Sequence, residues 1–363
     1  MVQNTIFTNK SSNYKTDIAT YKVGYSSPSN IALVKYWGKF GRQFPKNPSL
    51  SITLDNAHTK TLVNFSKKEV TGDVSLSFLF EGEKKKSFED KMLKFLSSIT
   101  NELPFLLEYD LKVESSNTFP HSSGIASSAS SMSALAMCLC DFERVLSKEE
   151  VSEKYFFEKA SYIARLGSGS ASRSLFESMA VWGKTDLVES SDDYAVEFRD
   201  FSDVFNGICD SVAIISAGEK AVSSRAGHAL MDTHPFAETR FKSANSNMET
   251  LLDSLKSGDF DKFTEVVEIE ALELHGLMMN SRPSFILMEP NTLEAIKRIR
   301  EFRNKTGSKV CFTLDAGPNV HILYPNSEKS TVKKFIEDEI KPLAQNGLII
   351  HDQMGSGAKR LEC

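Results

Sequence analysis

The sequence of 363 residues lacks several features that would assign it to a special class of protein. Its five cysteines are odd in number and form no CxxC pair, so we expect reduced thiols and no zinc site. No run of about 18 apolar residues is present, so we expect no membrane-spanning helix. The first residues, MVQNTIFTNKSSNYKTD, contain no apolar stretch typical of a signal peptide. These absences predict a cytoplasmic protein.

An excess of positive charge is also missing. The chain carries 43 lysines and arginines against 48 acidic residues, a formal net charge of -5. This balance argues against nucleic acid or an acidic membrane surface as the main partner, so the basic residues that matter are expected at a local site. Hydrophobic residues make up 40% of the sequence and the length suits about two domains, so a sizeable core is expected.

Apolar runs typical of strands and amphipathic runs typical of helices occur in both halves of the sequence, which predicts an α+β protein. An apolar strand at 212–216 follows a polar stretch, so we place the domain boundary there, with domains at 1–205 and 206–363. The predicted strands are 30–35, 49–54, 61–65, 74–80, 111–115, 212–216, 309–314, 321–324 and 347–351. The predicted helices are 88–99, 125–146, 148–165, 171–179, 235–256, 260–279, 291–306 and 330–343.

The stretch NTFPHSSGIASSASSMSALA, residues 117–136, is rich in serine and leads directly into an amphipathic helix. Such a junction presents unpaired backbone N–H groups at the positive end of the helix dipole, where phosphate oxygens bind. Gly124 permits close approach of a ligand, and the serine hydroxyls add donors. A helix capped by serine and packed on a sheet is the alternative. No Gly-Lys-Ser/Thr follows, so the loop is not a Walker A motif.

Three further segments combine residues that bind anions or transfer protons. In SSPSNIALVKYWGK, Lys35 and Lys39 flank an aromatic pair where a strand ends; two solvated lysines on a surface turn are the alternative. In ARLGSGSASR, backbone N–H groups, serines and Arg173 converge on one point, although a capped turn would look similar. In FTLDAGPN, Asp315 ends a strand beside a sharp turn that it could instead simply cap.

These segments resemble known families. PHSSGIASSA, residues 120–129, is similar to the phosphate loop of the GHMP kinase superfamily. NIALVKYWGK with the following PSLSITL, then ARLGSGSASR, FTLDAGPN and the C-terminal MGSGA resemble, in order, the motifs of diphosphomevalonate decarboxylases. The resemblance extends over nearly the whole chain, whereas residues 56–115 and 185–305 match only loosely.

The resemblance implies a two-domain GHMP kinase fold. Its N-terminal domain is a β-rich α/β unit with a left-handed βαβ-type phosphate-loop unit, and its C-terminal domain is a ferredoxin-like α/β sandwich. The loop of Asp315 would fold back onto the cleft between them. The resemblance further implies ATP as co-substrate, Mg²⁺ and a homodimer.

The resemblance also implies roles for particular residues. The catalytic residues would be Asp315, Lys35 and Arg173. The substrate would contact Asn30, Tyr36, Lys39, Ser168, Ser170 and Arg173. ATP would contact Pro120, Ser122, Ser123, Gly124, Ile125, Ala126, Ser127 and Ser128, with Ser127 also facing Mg²⁺. Relatives carry a further substrate-binding arginine where this sequence has none between Arg42 and Arg144, and Lys60, Lys67 or Lys68 are candidates to replace it.

The implied activity is ATP-dependent decarboxylation of 5-diphosphomevalonate to isopentenyl diphosphate. Two alternatives on the same scaffold stay open, a mevalonate 3-kinase and a decarboxylase of the monophosphate. A non-catalytic nucleotide-binding protein is a third. The presence of Asp315, Lys35 and Arg173 together favours an enzyme.

Overall fold

A computed structural model of the chain describes residues 6–119, 125–218 and 224–362. The strands are β1 Thr20–Val34, β2 Lys39–Phe40, β3 Phe44–Pro45, β4 Ser49–Lys67, β5 Ser75–Phe80, β6 Glu83–Lys84, β7 Tyr109–Asn117, β8 Met179–Trp182, β9 Val196–Phe198, β10 Cys209–Ala213, β11 Cys311–Leu314, β12 Val320–Tyr324, β13 Ile349–Gln353 and β14 Lys359–Arg360. The helices are α1 Lys86–Ser97, α2 Ser127–Leu146, α3 Glu153–Gly167, α4 Ser224–Leu230, α5 Ala237–Ser257, α6 Phe260–Asn280, α7 Pro290–Thr306 and α8 Lys329–Phe335. No helix in these ranges is both long and apolar enough to cross a membrane.

The larger sheet has the strand order β14-β1-β4-β7-β5-β6, and β8 and β9 extend it beside the first residues of β4. The strands predicted at 49–54 and 61–65 are both confirmed, but they are parts of the single strand β4. Side chains alternate between buried and more exposed positions along its second half, the pattern of a strand covered on one face. α2 packs on β1 and β4 and covers that face.

The smaller sheet is antiparallel in the order β11-β12-β10-β13. Along the chain one strand is followed by helices, then two strands, a helix and a last strand, which is the ferredoxin-like arrangement. This prediction is confirmed. The chain then returns to the larger sheet, where β14 pairs with β1.

An apolar core joins the two sheets. It includes Ile31 and Leu33 of β1, Val212 of β10 and Phe263 of α6, all of them buried. Because the second half of β1 runs into this core, the residues that follow the strand, beginning with Lys35, lie where the two halves of the chain meet.

The prediction of a helix at 171–179 is wrong. The chain forms a 3-10 turn at Gly169–Arg173 and then the strand β8, which pairs with the first residues of β4. Ser178 adopts a positive φ of 61°, a backbone conformation incompatible with a continuing helix. The unpaired edge of β4 outweighed the helical spacing of the apolar side chains, as tertiary context often outweighs local propensity.

Candidate active site

Lys35 and Asp315 approach each other from opposite halves of the chain. Lys35 directly follows β1 and Asp315 directly follows β11, and Lys35 Nζ lies 3.8 Å from Asp315 Oδ1. The lysine side chain is 2% exposed, whereas that of the aspartate is 29% exposed. A ligand can therefore reach the carboxylate, while the ammonium group lies behind it.

Burial dominates the electrostatics of Lys35. Burial lowers the pKa of the Lys35 amine, the carboxylates of Asp315 and Glu270 oppose the change and the guanidinium of Arg173 adds to it, with a net pKa of about 8. The Nζ donates to the main-chain oxygen of Ala32 at 2.5 Å. This hydrogen bond fixes the lysine side chain against the end of β1. Because the pKa is about 8, the amine stays mainly cationic at neutral pH.

Arg173 contributes a second buried cation. Its Nη1 donates to Ser49 Oγ, and its guanidinium lies 5.9 Å from the ring centroid of Trp182. Its Nε finds no hydrogen-bond partner within the described ranges. Burial lowers the pKa of Arg173 to about 10, although the negative charge of Asp315 opposes that change. A buried N–H without a partner is uncommon and suits a site that receives an anion.

Asn30 connects the first motif to the Gly-Ser turn. Its side-chain amide donates to the main-chain oxygen of Ser170 at 3.1 Å and to Ser174 Oγ at 2.7 Å. At the start of that turn, Ser168 Oγ lies 3.4 Å from Ser128 Oγ in the first turn of α2. The structure therefore brings the two serine-rich segments together.

Tyr36 packs into the same corner. Its ring centroid lies 4.6 Å from that of Trp182 and 4.3 Å from that of His228. A Cβ added at Gly169 would lie 2.8 Å from Tyr36 Cε1, so only glycine lets the turn approach so closely. Burial raises the pKa of Tyr36, which keeps the phenol protonated and able to donate.

His228, on the short helix α4, was not predicted from the sequence. It accepts a hydrogen bond at Nδ1 from the N–H of Gly38, 3.0 Å away. Burial, and to a lesser extent the charge of Lys39, lowers the pKa of His228 to about 3, so the imidazole is neutral. Lys39 Nζ itself donates to Gln43 Oε1 at 2.6 Å. Lys39 thus lies on the Tyr36 side of the site.

The predicted phosphate loop is only partly described. Pro120, Ser122, Ser123 and Gly124 lie outside the described residues, so the handedness of this unit stays a prediction. The oxygen of buried Ile125 accepts from Ser29 Oγ at 3.2 Å, and Ala126 precedes α2 with a φ of 23°.

The start of α2 suits an anion. Ala126, its N-cap residue, supplies no side-chain cap, no acidic residue stands in its first turn, and Ser128 is exposed there. The first N–H groups of the helix therefore face neither a capping side chain of Ala126 nor a first-turn carboxylate. Ser127 is the first residue of the helix. The described ranges contain no cluster of three or more His, Cys, Asp or Glu side chains that could hold a metal. A Mg²⁺ ion held mainly by phosphate oxygens and water, with few protein ligands, fits this arrangement.

The lysines considered as replacements for a missing arginine are remote. β4 begins beside Arg173, at Ser49, and runs away from the site. Lys60 is an exposed residue in the second half of the strand, and Lys67 and Lys68 donate to main-chain oxygens at its far end. The structure therefore gives no support to this substitution.

Sequence reasoning missed the contribution of α6. His275 is buried and lies 3.0 Å, at Nε2, from the main-chain oxygen of Asp315; because a carbonyl only accepts, Nε2 carries the proton. Burial lowers the pKa of His275 to about 4, so the ring is neutral. Glu270 of the same helix is fully buried and bonded to Lys35 and Arg240. The sequence did contain a signal for this role of α6. In EVVEIEALELHGLMM, residues 265–279, charged residues occupy more positions than one exposed helix face can hold, which indicates that some of them are buried.

Comparison with known proteins follows the same two halves. Residues 27–195 match the model of the diphosphomevalonate decarboxylase-like N-terminal domain, and residues 211–359 match that of the mevalonate 5-diphosphate decarboxylase C-terminal domain. The diphosphomevalonate decarboxylase of Gibberella zeae is 30% identical over 335 residues, which cover 87% of this chain and 84% of that protein.

Solved structures are similar over nearly their whole length. One, described as MDDEF in complex with MVAPP, AMPPCP and magnesium, is 30% identical with a TM-score of 0.79 and covers 95% of this chain and 100% of its own. Mevalonate diphosphate decarboxylase from Staphylococcus aureus is 27% identical with a TM-score of 0.80 and covers 94% and 98%. This chain belongs to the diphosphomevalonate decarboxylase family.

Proposed function

We propose that this protein catalyses the ATP-dependent decarboxylation of (R)-5-diphosphomevalonate to isopentenyl diphosphate, with release of CO₂, ADP and phosphate, in the mevalonate pathway. The observation that carries the proposal is the pair of Lys35 and Asp315, 3.8 Å apart, beside the buried guanidinium of Arg173. This combination supplies a reachable carboxylate and two fixed cations, as the transfer of a phosphoryl group to a hydroxyl requires.

The proposed steps follow from the poor leaving ability of hydroxide. Asp315 orients the tertiary hydroxyl of the substrate and accepts its proton as the oxygen attacks the γ-phosphoryl group of ATP. Phosphate then leaves with the C–O bonding electrons. Loss of CO₂ supplies the electron pair of the new double bond. Lys35 and Arg173 stabilise the negative charge of the transferred phosphoryl group and the carboxylate, and the carboxylate of Asp315 steadies the carbon as positive charge builds.

The diphosphate tail is assigned to the corner formed by the Gly-Ser turn and the first motif. Ser168, Ser170 and Arg173 present donors there, Tyr36 packs against Gly169 of the turn, Lys39 adds a further cation, and Asn30 holds the turn. The unpartnered Nε of Arg173 supports this assignment. Binding energy spent on the tail positions the hydroxyl and the carboxylate for reaction.

ATP is assigned to the serine-rich loop and the uncapped start of α2, with Pro120, Ser122, Ser123, Gly124, Ile125, Ala126, Ser127 and Ser128 around its phosphates. Mg²⁺, which Ser127 would face, neutralises charge on the phosphates when bound. The absence of a first-turn acid in α2 supports this site for an anion.

We also propose a domain boundary, an oligomeric state and a compartment for this protein. The boundary lies between residues 205 and 206, and the protein is a homodimer located in the cytoplasm. Four buried free thiols, at Cys138, Cys140, Cys209 and Cys311, support a reducing compartment. Light scattering of the purified protein tests the dimer directly.

The proposed reaction is tested by product identification. The purified chain is incubated with ATP and Mg²⁺ and, in parallel, with mevalonate, its 5-phosphate or its 5-diphosphate. CO₂ and isopentenyl diphosphate formed only from the 5-diphosphate are expected. ADP without CO₂ would assign a kinase, CO₂ from the 5-phosphate a monophosphate decarboxylase, and neither product a non-catalytic protein.

A further inference from the structure

The main chain of Lys35 is held on both sides by residues of the other half of the protein. Its N–H donates to Glu270 Oε2 at 2.7 Å, and its carbonyl oxygen accepts from Arg240 Nη2 at 3.2 Å. Asn47 Nδ2 donates to the same oxygen at 3.0 Å. Both hydrogen-bonding groups of this peptide segment are therefore fixed by side chains rather than by a neighbouring strand.

Glu270 and Arg240 also bind each other. Arg240 Nη1 and Nη2 donate to the two carboxylate oxygens of Glu270 at 2.7 and 2.6 Å, a bidentate pair between α5 and α6. Both side chains are buried, and Asn247 Nδ2 donates to Glu270 Oε1 at 2.6 Å. A buried ion pair gives little net stability because both ions lose their water. Its geometry is therefore better explained by what it holds.

Helix α6, which carries Glu270, also holds the backbone of Asp315. Further along α6, His275 donates from Nε2 to the main-chain oxygen of Asp315, which accepts from the N–H of Gly317 as well. One rigid helix thus contacts the backbone at both members of the pair whose charged atoms lie 3.8 Å apart.

We propose that Glu270, clamped by Arg240, is a positioning residue that sets where Lys35 stands relative to Asp315. It touches neither substrate nor nucleotide and acts through the backbone of Lys35. This inference rests on the proposed function, because it assigns a purpose to the distance between Lys35 and Asp315. The competing explanation is that the ion pair merely joins the two halves of the chain.

Glu268 offers a matched control on the same helix. It is buried like Glu270, and its carboxylate accepts from two guanidinium groups, those of Arg300 and Arg303, at 3.0 and 2.6 Å. No hydrogen bond connects it with Lys35. Glu268→Gln and Glu270→Gln therefore remove the same charge from two buried, arginine-bonded positions of one helix, and only the second change alters a contact with Lys35.

The first experiment measures kcat, the KM for ATP and the melting temperature of both variants. We expect Glu270→Gln to lower kcat by roughly 10- to 100-fold, as expected when a catalytic group shifts by about an ångström, with the KM for ATP unchanged. Glu268→Gln should retain kcat even where its melting temperature falls as far. Equal losses of kcat in both variants, or full kcat in Glu270→Gln, would refute the positioning role.

A second readout needs no activity, so it separates this proposal from the proposed function. The titration of Lys35 is followed by NMR of protein labelled with ¹³C-lysine, with its signal assigned by Lys35→Arg. The charged and titratable groups that face Lys35 are Asp315, Glu270, Arg173, Asp210, Arg240 and His275. Removing the negative charge of Glu270 favours the neutral amine, so the pKa of Lys35 should fall in Glu270→Gln and stay unchanged in Glu268→Gln. A Lys35 signal that titrates identically in both variants would contradict the proposal.

Arg240→Lys provides the test if Glu270→Gln does not fold. Lysine retains the charge but cannot bind both oxygens of Glu270 and the carbonyl of Lys35 at once. We expect the same loss of kcat with the KM for ATP unchanged. If both variants fail to fold, the ion pair is a structural requirement and the positioning role is wrong. If the unaltered chain releases no CO₂ while the Lys35 titration responds as expected, only the proposed reaction fails.

Discussion

The two halves of the protein supply opposite kinds of group to the site. The N-terminal half supplies cations and amides that are buried and already bonded, namely Lys35, Arg173 and Asn30. The C-terminal half supplies one carboxylate, Asp315, whose side chain is 29% exposed and whose main-chain oxygen is held by His275. The buried cations Lys35 and Arg173 are therefore fixed in place, whereas Asp315 lies on the side of the site that a ligand can reach.

This difference matches two chemical tasks. Charge that develops on transferring phosphate is best stabilised by groups that need no rearrangement, which burial and hydrogen bonding provide. A proton acceptor must instead reach the hydroxyl of a ligand that enters from solvent, which requires exposure.

The largest effect is expected at the exposed acid. Asp315→Asn keeps the shape of the side chain but removes its charge and its capacity to take a proton, so kcat should fall by roughly 10²–10⁴-fold. ATP binding, measured by calorimetric titration, should persist, because the nucleotide is assigned to the other half. Turnover at the unaltered rate would remove Asp315 from the mechanism.

The next largest effect is expected at the buried cation Arg173. Arg173→Ala should raise the KM for the diphosphate substrate by roughly 100-fold and the KM for ATP far less, because the guanidinium is assigned to the bound substrate and meets the phosphoryl group of ATP only as that group is transferred. Steady-state kinetics with each substrate varied in turn measures both constants, and a melting curve serves as control. Equal weakening of both ligands, with a lowered melting temperature, would indicate a folding defect instead.

A pH series tests whether burial of Lys35 matters to the reaction. Because its pKa in the ligand-free protein is lowered to about 8, kcat/KM should fall as pH rises above that value, by about tenfold near pH 9. Stability should change in the opposite direction, because the unfolded chain binds the proton up to a higher pH than the folded protein does. Between about pH 8 and 10 this group adds to the free energy of unfolding as pH rises. A flat kcat/KM across this range would exclude a required ammonium group.

The smallest effect is expected from a change in the packing of Gly169 against Tyr36 and Trp182. In Gly169→Ala the new Cβ would lie 2.8 Å from Tyr36 Cε1 and 2.9 Å from Trp182 Cη2, so the free energy of unfolding should fall by about 1–3 kcal/mol. Gly276→Ala in α6, where a Cβ meets nothing within 4 Å, is the matched control and should stabilise by about 1 kcal/mol. Denaturant unfolding measures both. An unaffected Gly169→Ala protein would show that this corner is loosely packed.

Much of the fold followed from local patterns. Alternating and amphipathic runs predicted the strands and the long helices, since side-chain period reflects which face is buried. The segment at 171–179 failed because its small and apolar residues suit a helix as well as a strand. Only the free edge of β4 selected the strand Met179–Trp182.

The chemical types at the site were also readable from the chain itself. The motifs around Lys35, Ser168 and Asp315 contain cations, hydroxyls and an acid, and it was their joint resemblance to one family that pointed to a common ligand. Which of them meet depends on contacts between residues distant in the sequence, as between Lys35 and Glu270 or between Asp315 and His275. Those contacts arise when two sheets bury a common core, so the spacing of the site was decided only by the tertiary structure.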